Sequence, residues 1–309
     1  MKQPKVAIII SSYNQEELVQ RNIMLLEKTE YKKHKIYFVD DSGEGKIAKQ
    51  IKEKFPKVKI IINSENFGFS KSYNKGINLA KKEYDPEWFL VLNDDCELRD
   101  KDWLKNILRA SQDKPSGGIF GCKVLYPDGS LQWVSKKGKN YFYKNSGVKE
   151  KISEFSEESK TTEILGAFMF MKKKMLEKVG TFDEGFSPFY GEESDLCFRA
   201  KKAGFENWYL GSISLIHHRN KSINKISKEK VWSIKKTHSL RLELLNYPFL
   251  KLIFFSVIHL GSIFKRDGIK IFKKISLLLK AYNINLKNIK EIRYKREERN
   301  KWKNQKFQF

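Results

Sequence analysis

The 309-residue sequence contains little cysteine and few long apolar runs. Cys96, Cys122 and Cys197 are too few and too scattered for a disulfide framework or a cysteine-rich zinc cluster. The only apolar run near the N-terminus covers residues 6–10, which is shorter than the hydrophobic segment of a signal peptide. These shortages predict a protein that is not exported and that works in the reducing cytoplasm.

No apolar run reaches the roughly 20 residues that a helix needs to cross a bilayer. The most hydrophobic stretch covers residues 248–264, and Lys251 leaves only residues 252–264 of it uncharged. A membrane-spanning helix is therefore not predicted.

Acidic residues are outnumbered, since 61 Lys and Arg face 37 Asp and Glu, for a formal net charge of +24. From Arg219 to the end, 24 Lys or Arg face 6 Asp or Glu, so this stretch carries +18. The asymmetry predicts a fairly balanced domain over residues 1–222 and a basic extension over residues 223–309 with a different role.

Strand-like and helix-like segments alternate over the first 100 residues. Short β-branched or aromatic runs predict buried strands at 6–10, 35–39, 59–63 and 88–92. Amphipathic patterns predict helices at 16–27, 46–54 and 70–81, the last with Ser70 as its N-cap. This alternation predicts a parallel, doubly wound α/β sheet.

A polar cluster follows each of these strands, at 11–14, 40–43, 66–69 and 93–95. Ligands of open α/β sheets bind beyond the carboxyl ends of the strands, so the clusters predict a site at one edge. In LVLNDDCEL, residues 90–98, adjacent acids leave an apolar strand, where unpaired charge would be costly. Either they meet water at an ordinary strand end, or they meet a cation.

The next part of the chain predicts a helix over 102–110, strands over 118–124 and 163–171, and an irregular excursion over 136–160. In YGEESDLCFRAKKAGF, residues 190–205, a helix is predicted with Gly204 as its C-cap. Acids fill its first turn, either to complement the helix dipole or to face a cleft. A further strand over 205–210 precedes His217 and His218, which either close a strand at the surface or supply a metal ligand.

Several motifs resemble, in order and spacing, those of family 2 glycosyltransferases with the GT-A fold, and within that family the rhamnosyltransferase-like branch. They are IIISSYN, FVDDSG, ENFGFSKSYNKGI, LVLNDD, LGAFMFMKK, FDEGFSPFYGEESDLCFRAKKAGF and the IHH segment, and they cover about residues 5–222. The resemblance implies a GT-A type, doubly wound, mostly parallel sheet. A Rossmann-like nucleotide-binding half would cover 1–100, an acceptor half 101–222, and a helical basic extension would follow.

The resemblance also implies an inverting, metal-dependent transfer of a sugar from a UDP- or dTDP-sugar, with rhamnose as one candidate. The acceptor would be a hydroxyl of a glycan or lipid-linked molecule in cell-surface polysaccharide synthesis. Twelve residues are implied to bind the nucleotide-sugar donor: Ser12, Tyr13, Asn14, Asp40, Asp41, Asn66, Gly68, Phe69, Ser70, Asn74, Asn93 and Asp94. The turn 66–70 is expected to let backbone approach the donor closely.

The D-x-D motif of the family corresponds here to Asn93, Asp94 and Asp95. The resemblance implies that Asp95 binds Mn²⁺ or Mg²⁺, with His217 or His218 as a possible nitrogen ligand. Asn93 offers the metal no charge, so the role of Asp94 stays open.

The resemblance implies that Glu193 is the catalytic base, which takes the proton of the acceptor hydroxyl. The usual acidic pair is Glu-Asp, whereas Glu192 and Glu193 stand here, so Asp195 is a second candidate. Gly166, Tyr190 and Glu192 are expected near the acceptor.

The basic extension contains a segment, residues 269–280, that mixes apolar and cationic residues at roughly helical spacing. Such a helix predicts peripheral docking on the anionic inner face of the cell membrane, with a solvated charged face as the alternative.

A nucleic-acid-binding protein is a rival class, but without a zinc-finger or RNA-recognition motif, nucleic acid is not expected as a partner. A metal-dependent nucleotidyltransferase or phosphotransferase is another rival, and it would yield pyrophosphate or a phosphorylated product.

Overall fold

The computed structural model describes residues 3–143, 152–218 and 226–302. Within these residues the chain forms two compact units. The first comprises 3–143, 152–188 and 192–218, and the second comprises 189–191 and 226–302. All described strands belong to the first unit, whereas the second is helical.

The first half of the sheet is parallel. Its strands are β1 (Val6–Ser12), β2 (His34–Asp40), β3 (Lys59–Ile62) and β4 (Trp88–Asn93), and α1 (Glu16–Glu27), α2 (Lys46–Lys54) and α3 (Gly68–Glu83) connect them. The strand order is β3-β2-β1-β4, and all three pairings are parallel. Residues 6–10 of β1 are fully buried, as expected for a strand covered on both faces. The predicted parallel, doubly wound arrangement is confirmed.

The second half of the sheet is mixed. It contains β5 (Cys96–Glu97), β6 (Gly117–Leu125), β7 (Leu131–Lys136), β8 (Lys139–Phe142), β9 (Ser159–Thr161), β10 (Phe168–Lys172) and β11 (Glu206–His217), with helices α4 (Trp103–Gln112), α5 (Lys173–Val179) and α6 (Glu192–Lys202). β10 runs antiparallel to both β4 and β6, and β11 then pairs parallel with β6. The short strands β5, β7, β8 and β9 pair antiparallel with their neighbours.

Some predicted boundaries differ from the structure. The strand predicted over 163–171 begins only at Phe168, because the preceding residues form a turn in which Phe168 N donates to Leu165 O. Ser70 is not an N-cap, since α3 already begins at Gly68. The predicted excursion over 136–160 contains β8, β9 and a 3₁₀ turn at Ser153–Phe155, while its residues 144–151 lie outside the described residues.

The second unit is built on α7 (Lys228–Asn246), which packs against α8 (Phe249–Gly261), α9 (Ile271–Lys287) and α10 (Ile289–Lys301). Buried polar pairs hold these helices. His259 Nε2 lies 3.0 Å from Glu243 Oε2, and the fully buried Lys274 Nζ lies 2.7 Å from Asp267 Oδ1. The part of the basic extension that the structure describes is therefore a folded helical unit. None of the described helices has the length and hydropathy to span a bilayer.

Candidate functional site

The carboxyl ends of three neighbouring strands place the predicted polar clusters side by side. Ser12 is opposite Asp40 in the β1–β2 pairing, and Ser11 is opposite Asn93 in the β1–β4 pairing. Ser12 Oγ donates a hydrogen bond of 2.6 Å to Asp94 Oδ2. The parallel topology thus brings the ends of β1, β2 and β4 to the same edge.

A buried carboxylate and a buried imidazole meet just beyond β4. β11 ends opposite β5, with His217 facing Cys96 in the register, and this pairing places His217 Nε2 3.2 Å from Asp95 Oδ1. Gln132 Nε2 donates to the His217 carbonyl oxygen at 3.2 Å, so Gln132 Oε1 faces His217 Nδ1, at 2.6 Å. An amide oxygen only accepts, so Nδ1 is the nitrogen that donates to Gln132, and Nε2 is the ring nitrogen left to face Asp95 or a metal.

These two side chains fit a divalent cation. His217 Nε2 has no partner with hydrogen-bond geometry in the described part of the chain, as expected for a lone pair directed at a metal. Octahedral ligands that each lie about 2.1 Å from Mg²⁺ are about 3 Å apart at right angles, close to the separation of Asp95 Oδ1 and His217 Nε2.

Cys96 lies in the same cluster, since one ligand atom from each of Asp95, Cys96 and His217 falls within 4.8 Å of the others. Burial raises the pKa of the Cys96 thiol well above its ordinary value, and Sγ donates to the Ala167 carbonyl oxygen. A protonated thiol is a poor ligand for Mg²⁺ or Mn²⁺, so the chemistry of the cluster favours Asp95 and His217 as ligands.

Of the two candidate histidines, His217 faces Asp95, whereas His218 Nε2 lies 2.6 Å from Glu97 Oε1. The buried Glu97 also contacts Arg21 Nε and Arg99 Nη2, each at 2.9 Å. Burial would raise the pKa of Glu97, but the His218 hydrogen bond and the two guanidiniums outweigh it and hold this pKa below its ordinary value.

The acids at the end of β4 strengthen the case for a cation. Burial, followed by the charge of Asp95, raises the pKa of Asp94 to about 8. Two adjacent carboxylates, one buried and one half-buried, resist simultaneous ionisation unless a positive charge compensates them. The raised pKa of Asp94 beside Asp95 therefore fits a pair of carboxylates that binds a cation better than a pair that faces bulk water.

Asp41, predicted to bind the donor, caps α3 from the end of β2. Its carboxylate accepts hydrogen bonds from the N–H of Phe67 at 2.9 Å and of Gly68 at 3.0 Å, while Phe69 N donates to Pro188 O at 2.8 Å. The N–H groups of residues 67–69 are therefore engaged within the protein, and a backbone approach of this turn to the donor stays a prediction. Glycine is needed at position 68 because its φ is +76° and because the backbone packs closely against Pro188. A Cβ on Gly68 would lie 2.5 Å from Pro188 O.

Asp40 and Asn74, also predicted to bind the donor, hold neighbouring backbone. Asp40 Oδ2 accepts from Ala48 N at 2.8 Å in α2, and Oδ1 accepts from Ser42 N at 3.0 Å. Asn74 Nδ2 donates to Phe182 O at 2.9 Å, and Asn74 Oδ1 accepts from Phe182 N at 3.0 Å. Both side chains are buried, so their contacts position loops at the edge of the site rather than leaving polar atoms for a ligand.

The other predicted donor residues divide by exposure. Tyr13, Asn14 and Asn66 are exposed next to the ends of β1 and β3, whereas Ser70 is buried in the first turn of α3. Asn93 Oδ1 accepts a hydrogen bond from Tyr73 at 3.4 Å.

The start of α6 brings Glu193 next to two other predicted site residues. A Cβ built on Gly166 would lie 3.6 Å from Glu193 Cβ and 3.6 Å from Phe69 Cζ. Glu193 is half-buried, whereas its neighbour Glu192 is buried. The missing side chain at Gly166 thus leaves a space that Glu193 and Phe69 border.

Tyr190 belongs to the second unit. The buried His238 of α7 places Nδ1 2.7 Å from Tyr190 O and 3.0 Å from Phe189 O, and Lys235 Nζ lies 4.6 Å from the centre of the Tyr190 ring. Within the second unit, α7 therefore holds residues 189 and 190.

Asp195, the second candidate for the base, is fully buried in an ion pair. Asp195 Oδ2 accepts from Arg199 Nε at 2.7 Å, and Arg199 also donates to the carbonyl oxygens of Val179 and Thr181. Without contact to solvent, this carboxylate cannot reach an acceptor hydroxyl unless the helix moves. Its geometry assigns it to the anchoring of α6 on the loop after α5.

Asp195→Ala is expected to lower the free energy of unfolding by about 3–5 kcal/mol, because it leaves the Arg199 charge buried without its carboxylate. Urea unfolding followed by circular dichroism measures the loss, with Glu193→Ala as the control that changes little. A normal unfolding free energy combined with lost turnover would instead indicate a catalytic role for Asp195.

Sequence reasoning missed Gln132, which orients His217, and Arg199, which pairs with Asp195. Arg199 follows Asp195 by four residues, and this spacing was a usable signal for an ion pair on one helix face. Gln132 carried no comparable signal, because its role depends on the distant end of β11.

Solved glycosyltransferases have the same fold. The chain matches the mannosyltransferase PcManGT from Pyrobaculum calidifontis, solved with GDP-Man and Mn²⁺, with a TM-score of 0.57 and 14% identity over 99% of this chain and 89% of that one. It matches GalNAc-T7, solved with UDP, GalNAc and Mn²⁺, with a TM-score of 0.63 and 13% identity over 93% of this chain and 57% of that one. The fold is therefore the GT-A glycosyltransferase fold, as predicted.

The model of glycosyl transferase family 2 matches residues 7–180, more than half of the chain. The chain belongs to this family, which confirms the resemblance in the sequence.

Two curated relatives are similar over more than half of this chain. O-antigen biosynthesis protein RfbC of Myxococcus xanthus is 24% identical over 228 residues, which cover 71% of this chain and 18% of the relative. N-acetylglucosaminyl-diphospho-decaprenol L-rhamnosyltransferase of Mycobacterium tuberculosis is 23% identical over 194 residues, which cover 56% of this chain and 62% of the relative. The chain thus spans less than two thirds of the length of either relative.

Proposed function

We propose that the protein is an inverting, metal-dependent glycosyltransferase that moves a sugar from a nucleotide-diphosphate donor to an acceptor hydroxyl. One structural link carries the proposal. Ala167 O accepts a hydrogen bond of 3.1 Å from Asn93 N at the end of β4, and the preceding Gly166 borders Glu193. A two-residue turn therefore connects the acids that fit a cation with the carboxylate that fits a base.

Each side chain has a distinct task in this reaction. A divalent cation, Mn²⁺ or Mg²⁺, held by Asp95 and His217 would neutralise the diphosphate and favour its departure. Glu193 accepts the proton of the acceptor hydroxyl while the acceptor oxygen attacks the anomeric carbon opposite the leaving phosphate oxygen. The bond from the anomeric carbon to that phosphate oxygen breaks, so the configuration inverts. The exposed Tyr13 ring offers an apolar face to the nucleotide base.

Three observations support the identity of the substrates. The solved relatives bind GDP-Man or UDP together with Mn²⁺, which supports a nucleotide donor and a divalent cation. The name of the mycobacterial relative supports a rhamnose donor and a lipid-linked acceptor, and that of RfbC supports polysaccharide synthesis. We propose a UDP- or dTDP-sugar as the donor, as the sequence motifs imply, with rhamnose as the first candidate. Transfer to a lipid-linked acceptor would require a peripheral position on the inner face of the cell membrane.

Donor turnover tests the proposal. The full chain is incubated with UDP-, dTDP- and GDP-sugars in Mn²⁺, in Mg²⁺ and in EDTA, and the phosphorylated products are identified by chromatography. We expect release of a nucleoside diphosphate from one donor class, in metal only. Release of pyrophosphate, or a phosphorylated product, would instead place the protein among nucleotidyltransferases or phosphotransferases.

A further inference from the structure

The outward face of α8 and the residues just after it are apolar and exposed. Each of eight large side chains has at least 48% of its surface exposed: Phe249, Leu250, Ile253, Phe254, Val257, Ile258, Leu260 and Phe264. Spacings of three and four residues place most of them on the same side of the helix. A contiguous apolar surface of this kind is costly in water and marks a contact with a partner or a membrane.

The opposite face of α8 is already packed. His259 makes the buried pair with Glu243 of α7, and the rings of Phe255 and Tyr247 lie 5.0 Å apart. Ser262 and Ile263, which follow α8, are buried as well. Packing of the opposite face therefore fixes the orientation of α8, and its apolar face is a permanent part of the surface of the second unit.

Basic side chains border the apolar face. Over residues 249–280 the chain carries seven Lys or Arg and a single acid, Asp267. The exposed ones are Lys251, Lys265, Arg266, Lys270, Lys273 and Lys280. Asp267 pairs with the buried Lys274, so it offsets little of the outward positive charge. Phe272 is 86% exposed among these cations.

We propose that α8, with residues 262–273, is the surface that docks the protein on an anionic lipid bilayer. The apolar side chains enter the boundary between headgroups and acyl chains, and the basic border contacts the lipid phosphates. At about 20 Å, a 13-residue helix is shorter than the hydrocarbon core, so it lies in the plane of the interface. The reason for docking, access to a lipid-linked acceptor, rests on the proposed function. The docking surface itself is argued from the exposed side chains alone.

The structure moves the centre of the predicted docking surface from residues 269–280 to α8. Lys274, which the sequence placed among the membrane-facing cations, is buried with its ammonium group bound to Asp267. Two other occupants are disfavoured by charge and polarity. A second copy of the chain would bring two basic borders together, and a nucleic acid would leave the apolar side chains uncovered.

Vesicle flotation of the full chain tests the proposal. Vesicles of phosphatidylcholine alone are compared with vesicles that contain about 30% phosphatidylglycerol, at about 0.1 M salt, where charges still attract over about 10 Å. Phe254→Glu combined with Val257→Glu is expected to weaken partitioning to the anionic vesicles at least tenfold, since two exposed apolar anchors become charged. Tyr294→Glu is the matched control: its side chain on α10 is 65% exposed, and its binding should equal that of the wild type.

Circular dichroism melting checks that the double variant is folded. Equal flotation of the double variant and the wild type, or no flotation of the wild type, would overturn the proposal. So would a dimer in light scattering that the double substitution dissociates, or tight DNA binding without vesicle binding. A wild-type protein that floats but releases no nucleoside diphosphate would contradict the proposed function and leave the docking surface supported.

Discussion

Glu193→Gln is expected to lower kcat by about 10² to 10⁴, because glutamine keeps the size of the side chain but cannot accept the acceptor's proton. Donor binding should survive, since glutamine keeps the size of the side chain and Glu193 borders Gly166 rather than the acids at the end of β4. Nucleoside diphosphate release in the presence of acceptor gives kcat. A metal-dependent rise in melting temperature with donor reports binding.

Glu177→Gln is a matched control, because it makes the same change at an exposed position on α5. Its kcat should equal that of the wild type. Normal turnover by Glu193→Gln would show that another group takes the proton, and the anchoring role assigned to Asp195 would then need to be reconsidered.

Asp95→Asn is expected to lower kcat/KM by at least about 10³, equivalent to about 4 kcal/mol of lost transition-state stabilisation. Asparagine keeps the shape but removes the charge that would bind a cation beside His217 Nε2. Steady-state assays across a range of Mn²⁺ concentrations measure the loss. Full activity recovered at high Mn²⁺ would mean that Asp95 only tunes affinity, whereas unchanged activity at low Mn²⁺ would contradict its role.

The sequence could predict the edge of the sheet at which the site lies, because parallel strands all present their carboxyl ends on one side. The helices predicted over 16–27 and 46–54 coincide with α1 and α2, since their apolar spacing is regular and turn residues bound them. The clusters after β1, β2 and β4 then had to be neighbours. The family resemblance rested instead on the order and spacing of the motifs.

The partners of individual side chains could not be predicted, because they depend on residues far away in the sequence. The choice between His217 and His218 follows from the register of β11 against β5. Asp41 caps a helix that begins 27 residues later, and Asn74 binds the backbone of Phe182. Such contacts compete with ligands for the same polar atoms, so a strand-end acid alone does not identify a ligand contact.

In the helical unit, too, local structure could be predicted from the sequence and the partners of side chains could not. Amphipathic spacing predicted helices in the basic extension, but several arrangements could bury one face of α8 and of α9. The ion pair with Asp267 removes Lys274 from the exposed cations. A count of charges along the sequence does not show that these two residues pair.

Binding of Mn²⁺, followed by electron paramagnetic resonance in the presence of UDP or dTDP, tests the central claim most directly. We expect the wild type and His218→Asn to bind the ion together with the nucleotide, and Asp95→Asn and His217→Asn to lose it. Equal Mn²⁺ binding by the wild type and Asp95→Asn would show that the acids at the end of β4 do not bind a cation.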